Sequence, residues 1–161
     1  MVNALQKMEE FIAHFVKVDP LTVNNLTFKK ELVMEFSHHL YLVNKDMQSI
    51  IKTSNSKPFG VGLFLGRIDH DQFVPSFYLL EQIAKITDQK VVIDDKSAWL
   101  FVCGRDIFRE SANTNLQANT IVIVENIEHE CLGYGKVVKD PTVIVKNFFD
   151  RGDFLSRERQ R

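Results

Sequence analysis

The sequence predicts an α+β protein with two domains, an α+β domain over residues 1–89 and a small β-barrel over residues 90–161. In the first half, segments with apolar residues at helical spacing alternate with short β-rich runs. In the second half, short β-rich runs follow one another, separated by Gly, Asn and Asp, which is typical of a small barrel or sandwich. No run there is long enough for a crossover helix, so the second domain is expected to be all-β.

The composition is typical of a globular protein. The chain has 161 residues, enough for one large domain or two small ones, and its hydrophobic content of 45% is sufficient for a buried core. No apolar run approaches the roughly 20 residues of a membrane span, and the N-terminus lacks a signal-peptide pattern. Cys103 and Cys131 lie in β-rich runs, so both are predicted to be buried thiols in a reducing compartment.

In the first domain, the apolar pattern predicts a helix over residues 2–17 followed by three strands. Leu5, Met8 and Ile12 recur at helical spacing. Asp19-Pro20 ends the helix, because a proline disfavours the α conformation in the residue before it. The predicted strands cover residues 26–28, 32–36 and 39–43.

Two further helices are predicted in this domain. Asn44 is a suitable N-cap for a helix that extends to about Thr53. Its inner face is expected to carry Met47, Ile50 and Ile51. Pro75 suits the first turn of the other helix, which extends to about Thr87. Its buried stripe is expected to comprise Leu79, Leu80, Ile83 and Ala84.

In the second domain, five strands are predicted, with a tight break at Gly104. After that glycine, a short helix is expected to carry Arg105 and Arg109, which are four residues apart and would share a helical face. The five strands are placed at residues 91–93, 98–103, 120–124, 131–138 and 142–149.

Three motifs could carry chemistry, and a structural interpretation is preferred for each. The glycines of residues 60–66 have the spacing G-x-G-x-x-x-G, which departs from the dinucleotide-binding pattern and suits bulges in a strand. His38 and His39 are adjacent, so in a strand they point to opposite faces and cannot chelate one ion together. Residues 69–71 form a polar turn without further metal ligands nearby in the sequence. The sequence therefore predicts no catalytic residue, no metal site and no cofactor.

The distribution of charge favours a nucleic-acid partner more than the net charge does. The net charge of the whole chain is −1, but the residues from Lys136 onward include seven basic and four acidic side chains, a net charge of +3. Basic residues in separate segments could converge on a phosphate backbone once the barrel folds. The alternative is a solvated rim of scattered charges.

The second half resembles a PUA domain, a small β-barrel module that binds RNA. The matching motifs are residues 99–102 with Gly104-Arg105-Asp106 after them, and Leu132-Gly133-Tyr134-Gly135 on a later strand. Nearly the whole chain also resembles the Nip-seven family of ribosome-biogenesis factors. The order of the motifs carries this likeness, from Gly66-Arg67-Ile68 through the Leu79-Leu80 helix and the PUA motifs to the closing residues 150–157.

The resemblance implies an N-terminal α+β domain with an antiparallel sheet and a C-terminal PUA-like β-barrel. It further implies a non-catalytic protein that binds RNA during large ribosomal subunit biogenesis and pre-rRNA processing. The expected partners are pre-rRNA, U-rich or AU-rich single strands and other ribosome-assembly proteins, with no membrane. The short chain is more similar to archaeal members of the family, and a cytoplasmic location is expected with that likeness.

Six basic residues are assigned contacts with the RNA backbone, namely Arg105, Arg109, Lys136, Lys139, Lys146 and Arg151. The resemblance implies a last strand that is basic at several positions, whereas only Lys146 is basic there in this chain. Phe148 and Phe149 are candidates for base stacking. Two alternatives remain open. One is a protein-interaction scaffold with weak RNA binding, and the other is an RNA-modifying enzyme, which would need a catalytic acid or cofactor loop.

Overall fold

The computed structural model describes residues 3–16, 32–54, 60–112 and 114–152. The chain divides into two compact units, Met1–Ile86 and Thr87–Arg161. Its helices and two separate sheets confirm the predicted α+β class. The predicted strand over residues 26–28 and the closing motif beyond Gly152 lie outside the described residues.

The first unit has a four-stranded antiparallel sheet and three helices in its described part. The elements are α1 (Ala4–Ala13), β1 (Val33–Phe36), β2 (His39–Leu42), α2 (Lys45–Thr53), β3 (Leu63–Asp69), β4 (Gln72–Pro75) and α3 (Phe77–Ala84). The strands follow chain order across the sheet. Between β3 and β4, His70 and Asp71 have φ angles of 44° and 66°, the left-handed values of a tight hairpin, which confirms the predicted polar turn.

Apolar stripes of α1 and α3 supply much of the core of this unit. Met8 and Ile12 of α1 are buried, as their helical spacing predicts. Leu79, Leu80 and Ile83 of α3 are completely buried, which confirms the predicted stripe of that helix.

Side-chain caps set the start of α2 and of α3. Asn44 Oδ1 accepts the N–H of Met47 at 2.8 Å, which confirms the predicted N-cap of α2. The N-cap of α3 is Ser76, whose Oγ accepts the N–H of Leu79 at 3.2 Å. Pro75 precedes this cap as the last residue of β4, so the prediction that it lies in the first helical turn was wrong. An edge strand accommodates a proline because its outer N–H groups need no partner strand.

The predicted inner face of α2 was also wrong. None of the nine residues of α2, all of which the structure describes, is buried. Met47 is 37% exposed and Ile50 is 66% exposed. Close to this helix in sequence, Leu63 at the start of β3 is 47% exposed. Helical spacing of apolar residues identified an amphipathic helix here but not what covers its apolar face.

The second unit is built on a five-stranded half-barrel with one helix in its described part. The elements are β5 (Lys90–Val92), α4 (Asp95–Val102), β6 (Ile107–Phe108), β7 (Ile121–Glu125), β8 (Cys131–Val137) and β9 (Val143–Asp150). The strands are ordered β5-β7-β8-β9-β6. All neighbouring pairs are antiparallel except β5 and β7, which are parallel. The connection between these parallel strands contains α4, so the expectation of an all-β domain without a crossover helix was wrong.

The helix α4 replaces the strand predicted over residues 98–103. Asp94 caps its start, with Oδ1 accepting the N–H of Ser97 at 2.7 Å. Gly104 ends it at a φ of 82°, where the N–H of Arg105 donates to the carbonyl of Leu100 at 3.1 Å. An apolar run of this length is compatible with a strand or a helix, and these caps determine the outcome.

The core of the second unit lies between the half-barrel and α4. It contains Phe101 of α4 together with strand residues such as Val91, Val124 and Val145. Cys131 is buried as predicted, but Cys103 is exposed because it follows the last turn of α4 instead of lying in a strand. Among the described residues, no helix is long and apolar enough to cross a membrane.

Candidate nucleic-acid interface

The six predicted site residues lie in or next to strand β9 and its two neighbours in the sheet, β8 and β6. Arg105 and Arg109 lie just before and just after β6, Lys136 and Lys139 lie in or just after β8, and Lys146 and Arg151 lie in or just after β9. Residues 105–112 contain no helix, so the prediction that the two arginines share a helical face was wrong. They flank a two-residue strand that pairs with β9 instead.

Lys136 and Lys146 form a directly opposed pair on β8 and β9. They are register partners in the antiparallel ladder, so their side chains leave the same face of the sheet. Lys146 is exposed and Lys136 is half-buried. Within the part of the chain that the structure describes, neither ammonium forms an ion pair with a carboxylate. Like charges placed directly opposite destabilise a sheet unless an anion lies between them.

Three aromatic side chains adjoin this lysine pair on the same two strands. Tyr134 lies two residues before Lys136, so both side chains project from one face of β8. The ring of Phe148 meets the ring of Tyr134 edge-on at a centroid distance of 6.3 Å, and Phe149 meets it at 6.1 Å. A register shift between Tyr134 and Gly135 lets both phenylalanines contact this ring.

The members of this aromatic cluster differ in exposure. Phe148 is 48% exposed, whereas Phe149 is half-buried. Burial raises the pKa of the Tyr134 hydroxyl to about 12, so this ring is neutral at physiological pH. Tyr134 therefore supports the ring of Phe148 from within the sheet, and Phe148 presents aromatic surface to solvent.

Two of the predicted site arginines bind the protein itself. Arg109 donates from Nε to the carbonyl of Asp140 at 2.5 Å and from Nη2 to the carbonyl of Val138 at 3.1 Å. Arg151 donates from Nε to the carbonyl of Cys131 at 2.6 Å. Both guanidinium groups thus hold the ends of β8 and β9 in place, which the sequence did not predict.

Asn147 connects β9 to the loop that follows α4. Its backbone N–H donates to Oδ1 of Asp106 at 2.8 Å. Its Nδ2 donates to the carbonyl of Phe101 at 2.9 Å, to that of Arg105 at 3.4 Å and to Oδ2 of Asp150 at 3.0 Å. We call these five residues the Asn147 clasp. The clasp fixes the position of Arg105 beside the strand that carries Lys146 and Phe148.

Asn147 was not among the predicted site residues, although both of the motifs that the clasp joins were recognised in the sequence. Gly104-Arg105-Asp106 and Asp150-x-Gly152 are more than 40 residues apart in the chain. The sequence does contain one sign of this role, which is an asparagine within an otherwise largely apolar strand. An amide side chain in such a strand needs several hydrogen-bond partners.

The motifs that were interpreted structurally lie in strands, turns or loops, and His38 lies in the turn before β2 with a φ of 66° instead of sharing a strand with His39. Among the described residues, no group of His, Cys, Asp and Glu side chains could hold a metal ion. Asp71 pairs with Lys7 of α1, and His39 lies in β2. Gly66 lies within β3 opposite Pro75.

Residues 89–159 match the family model described as the UPF0113 PUA domain. The chain contains a PUA domain. This domain coincides with the half-barrel and α4, and it includes the lysine pair and the aromatic cluster described above. The comparison with curated protein sequences found no match.

Solved structures from archaea resemble the chain at low sequence identity. A hypothetical protein from Pyrococcus horikoshii is 15% identical, with a TM-score of 0.55, over 96% of this chain and 95% of that one. A conserved PUA domain protein from Thermoplasma acidophilum is 17% identical, with a TM-score of 0.43, over 54% of this chain and 64% of that one. The first of these likenesses indicates a shared fold over nearly the full length of both chains.

A third solved structure is that of an H/ACA ribonucleoprotein bound to a substrate RNA containing 2'-deoxyuridine. The matched chain is 14% identical, with a TM-score of 0.36, over 50% of this chain. The match covers 27% of the ribonucleoprotein chain and 64% of the Thermoplasma protein, so this chain spans only part of the length of either relative.

Proposed function

We propose that this protein is a non-catalytic RNA-binding factor whose PUA domain holds single-stranded RNA on the outer face of β8 and β9. The observation that carries the proposal is the opposed pair Lys136–Lys146 beside the exposed ring of Phe148. Backbone phosphates bound by the two ammonium groups, one by each, would relieve their mutual repulsion. An unpaired base could then stack on Phe148, whose ring is supported by Tyr134.

The other basic residues divide into two groups in this proposal. Arg105 and Lys139 are exposed and add backbone contacts on either side of the lysine pair. Arg109 and Arg151 act mainly through the protein carbonyls that they bind, so they maintain the shape of the face. The expected binding is salt-dependent and only weakly selective for sequence, because phosphate contacts and stacking dominate it.

We further propose a role in large ribosomal subunit biogenesis and pre-rRNA processing, together with other assembly proteins. The PUA domain and the order of motifs shared with the Nip-seven family support this role. U-rich or AU-rich single strands are the proposed RNA class, and a cytoplasmic, archaeal setting follows from the same resemblance.

A second candidate function is a protein-interaction scaffold that binds RNA weakly. The exposed apolar residues of α2 favour it, because Met47 and Ile50 present apolar side chains to solvent in the first unit. A partner that buries this face of α2 would make the first unit the principal binding module.

Fluorescence anisotropy with a labelled U-rich strand of about 12 nucleotides tests the proposed function. We expect the Lys136→Gln/Lys146→Gln variant to bind at least roughly tenfold more weakly than the wild type, because two phosphate contacts are lost. The matched control is Lys45→Gln/Lys52→Gln, which removes the same charge from exposed positions of α2 and should bind like the wild type.

The outcomes separate the two candidate functions. Equal losses in the two variants would show that only net charge matters and would reject the proposed face. Absence of RNA binding by the wild type would reject RNA binding as the function and favour the scaffold.

A further inference from the structure

The helix α4 exposes the only tryptophan of the chain. Trp99 is 66% exposed, whereas Phe101, two residues later, is buried in the core of the same unit. Leu100 and Cys103 are exposed beside it. Phe101 of α4 belongs to the core, and Ala98 and Val102 pack against it, so the helix contacts the core through side chains other than Trp99. Such a large exposed ring is unusual outside a binding surface.

The charges around Trp99 suit an anionic, aromatic ligand. Lys96 lies one helical turn before it, and Arg105 follows the end of the helix, and both are exposed. Asp95 is also exposed one turn away, but the carboxylate of Asp94 is occupied as the helix cap. An aromatic face between two cations is the arrangement by which proteins bind single-stranded nucleic acid without reading its sequence.

Hydrogen bonds connect this part of α4 to the proposed RNA face. The N–H of Arg105 donates to the carbonyl of Leu100, the residue after Trp99, at 3.1 Å. The carbonyl of Arg105 accepts from Nδ2 of Asn147 at 3.4 Å, and Asn147 lies between Lys146 and Phe148. The backbone of Arg105 therefore links the end of α4, the helix that carries Trp99, to β9, the strand that carries Phe148.

We propose that Trp99 is a second base-stacking position for the same RNA strand, with Arg105 contacting the phosphates between it and Phe148. This inference rests on the proposed function, because it extends the RNA path from β9 across the end of α4. The ligand class is a single strand several nucleotides long, since a duplex cannot offer unstacked bases to two separate rings.

Intrinsic fluorescence tests the proposal directly, because Trp99 is the sole tryptophan. We expect an unlabelled U-rich strand to quench it with the same dissociation constant that anisotropy gives for the labelled strand. Trp99→Ala should weaken binding by roughly 5- to 100-fold, and Trp99→Phe should retain most of the affinity because it keeps an aromatic face. Ile127→Ala is the control, since it truncates a similarly exposed apolar side chain in the hairpin between β7 and β8.

Failure of this inference is distinguishable from failure of the proposed function. Anisotropy that detects RNA binding, combined with unchanged fluorescence and full affinity of Trp99→Ala, would overturn the second stacking position. It would leave the proposed β9 face intact. No RNA binding by anisotropy would overturn both. Thermal unfolding of each variant confirms that it is folded, and truncation of an exposed ring should change it little.

Discussion

The backbone N–H of Asn147 donates to the carboxylate of Asp106 across a separation of 41 residues. This hydrogen bond joins the loop after α4 to the last strand of the half-barrel. Asn147 is the residue between Lys146 and Phe148. The position of the proposed RNA face therefore depends in part on the hydrogen bond that its N–H donates to Asp106. The clasp therefore helps to hold in place the strand that carries Lys146 and Phe148.

Substitution of Asn147 should destabilise the PUA domain. In Asn147→Ala the carbonyls of Phe101 and Arg105 and the carboxylate of Asp150 lose a donor, so we expect the free energy of unfolding to fall by roughly 1–3 kcal/mol. Urea-induced unfolding measures this change. Asn115→Ala, at an exposed position, is the control and should be nearly neutral. A neutral Asn147→Ala would show that the clasp contributes nothing to stability.

Two glycines at the ends of the clasp should respond differently to alanine. A Cβ on Gly152 would lie 1.5 Å from the carbonyl oxygen of Val102, so Gly152→Ala should cost about 3 kcal/mol or more. A Cβ on Gly104 meets no atom within 4 Å, and only its φ of 82° is unfavourable, so Gly104→Ala should cost about 1 kcal/mol. Thermal unfolding of both variants gives the order. The reverse order would contradict the described approach of Gly152 to α4.

Tyr134 should make stability sensitive to alkaline pH. Burial raises the pKa of its hydroxyl from 10.0 to about 12, so the folded state favours the neutral phenol. The resulting stabilisation is fully present below pH 10.0 and is lost as the pH rises through about 12. Unfolding free energies measured across this range should fall less steeply for Tyr134→Phe than for the wild type. Identical slopes would show that Tyr134 is not the group responsible.

Arg109 and Lys139 should differ in their effects although both are exposed cations. Arg109→Gln removes two hydrogen bonds to backbone carbonyls, and we expect it to lower the free energy of unfolding by roughly 0.5–1.5 kcal/mol. Lys139→Gln should leave stability unchanged, and weaken RNA binding slightly. Chemical denaturation and anisotropy on both variants test this division. Equal stability of the two variants would show that the hydrogen bonds of Arg109 do not stabilise the fold, and Arg109 would again be a candidate for RNA contacts.

The sequence predicted the elements whose patterns are local. The cap at Asn44, the stripe of Leu79 and Leu80, and the strands that became β7, β8 and β9 depend on spacing that neighbouring residues reveal. The run around Trp99 was assigned to a strand because its six consecutive apolar residues, 98–103, have no helical period. The signals at its ends, Asp94 and Gly104, identify a helix of eight residues when they are considered together.

The candidate site was predictable only in part, because the register between β8 and β9 determines which side chains lie next to each other. Lys136 and Lys146 were both singled out as basic, but their pairing depends on how β8 and β9 align, which a bulge shifts. The roles of Arg109 and Arg151 depend on carbonyls that lie 20 to 31 residues away. Such contacts leave no periodic trace in the sequence.

The salt dependence of RNA binding tests the central claim most directly. The logarithm of the association constant should be measured against the logarithm of salt concentration, from about 50 to about 200 mM, for the wild type and for Lys136→Gln/Lys146→Gln. If the opposed lysines each hold a phosphate, the slope for the double variant should be shallower by about 1.4, which corresponds to two contacts on a single strand. Parallel lines for the two proteins would place the RNA elsewhere and contradict the proposed face.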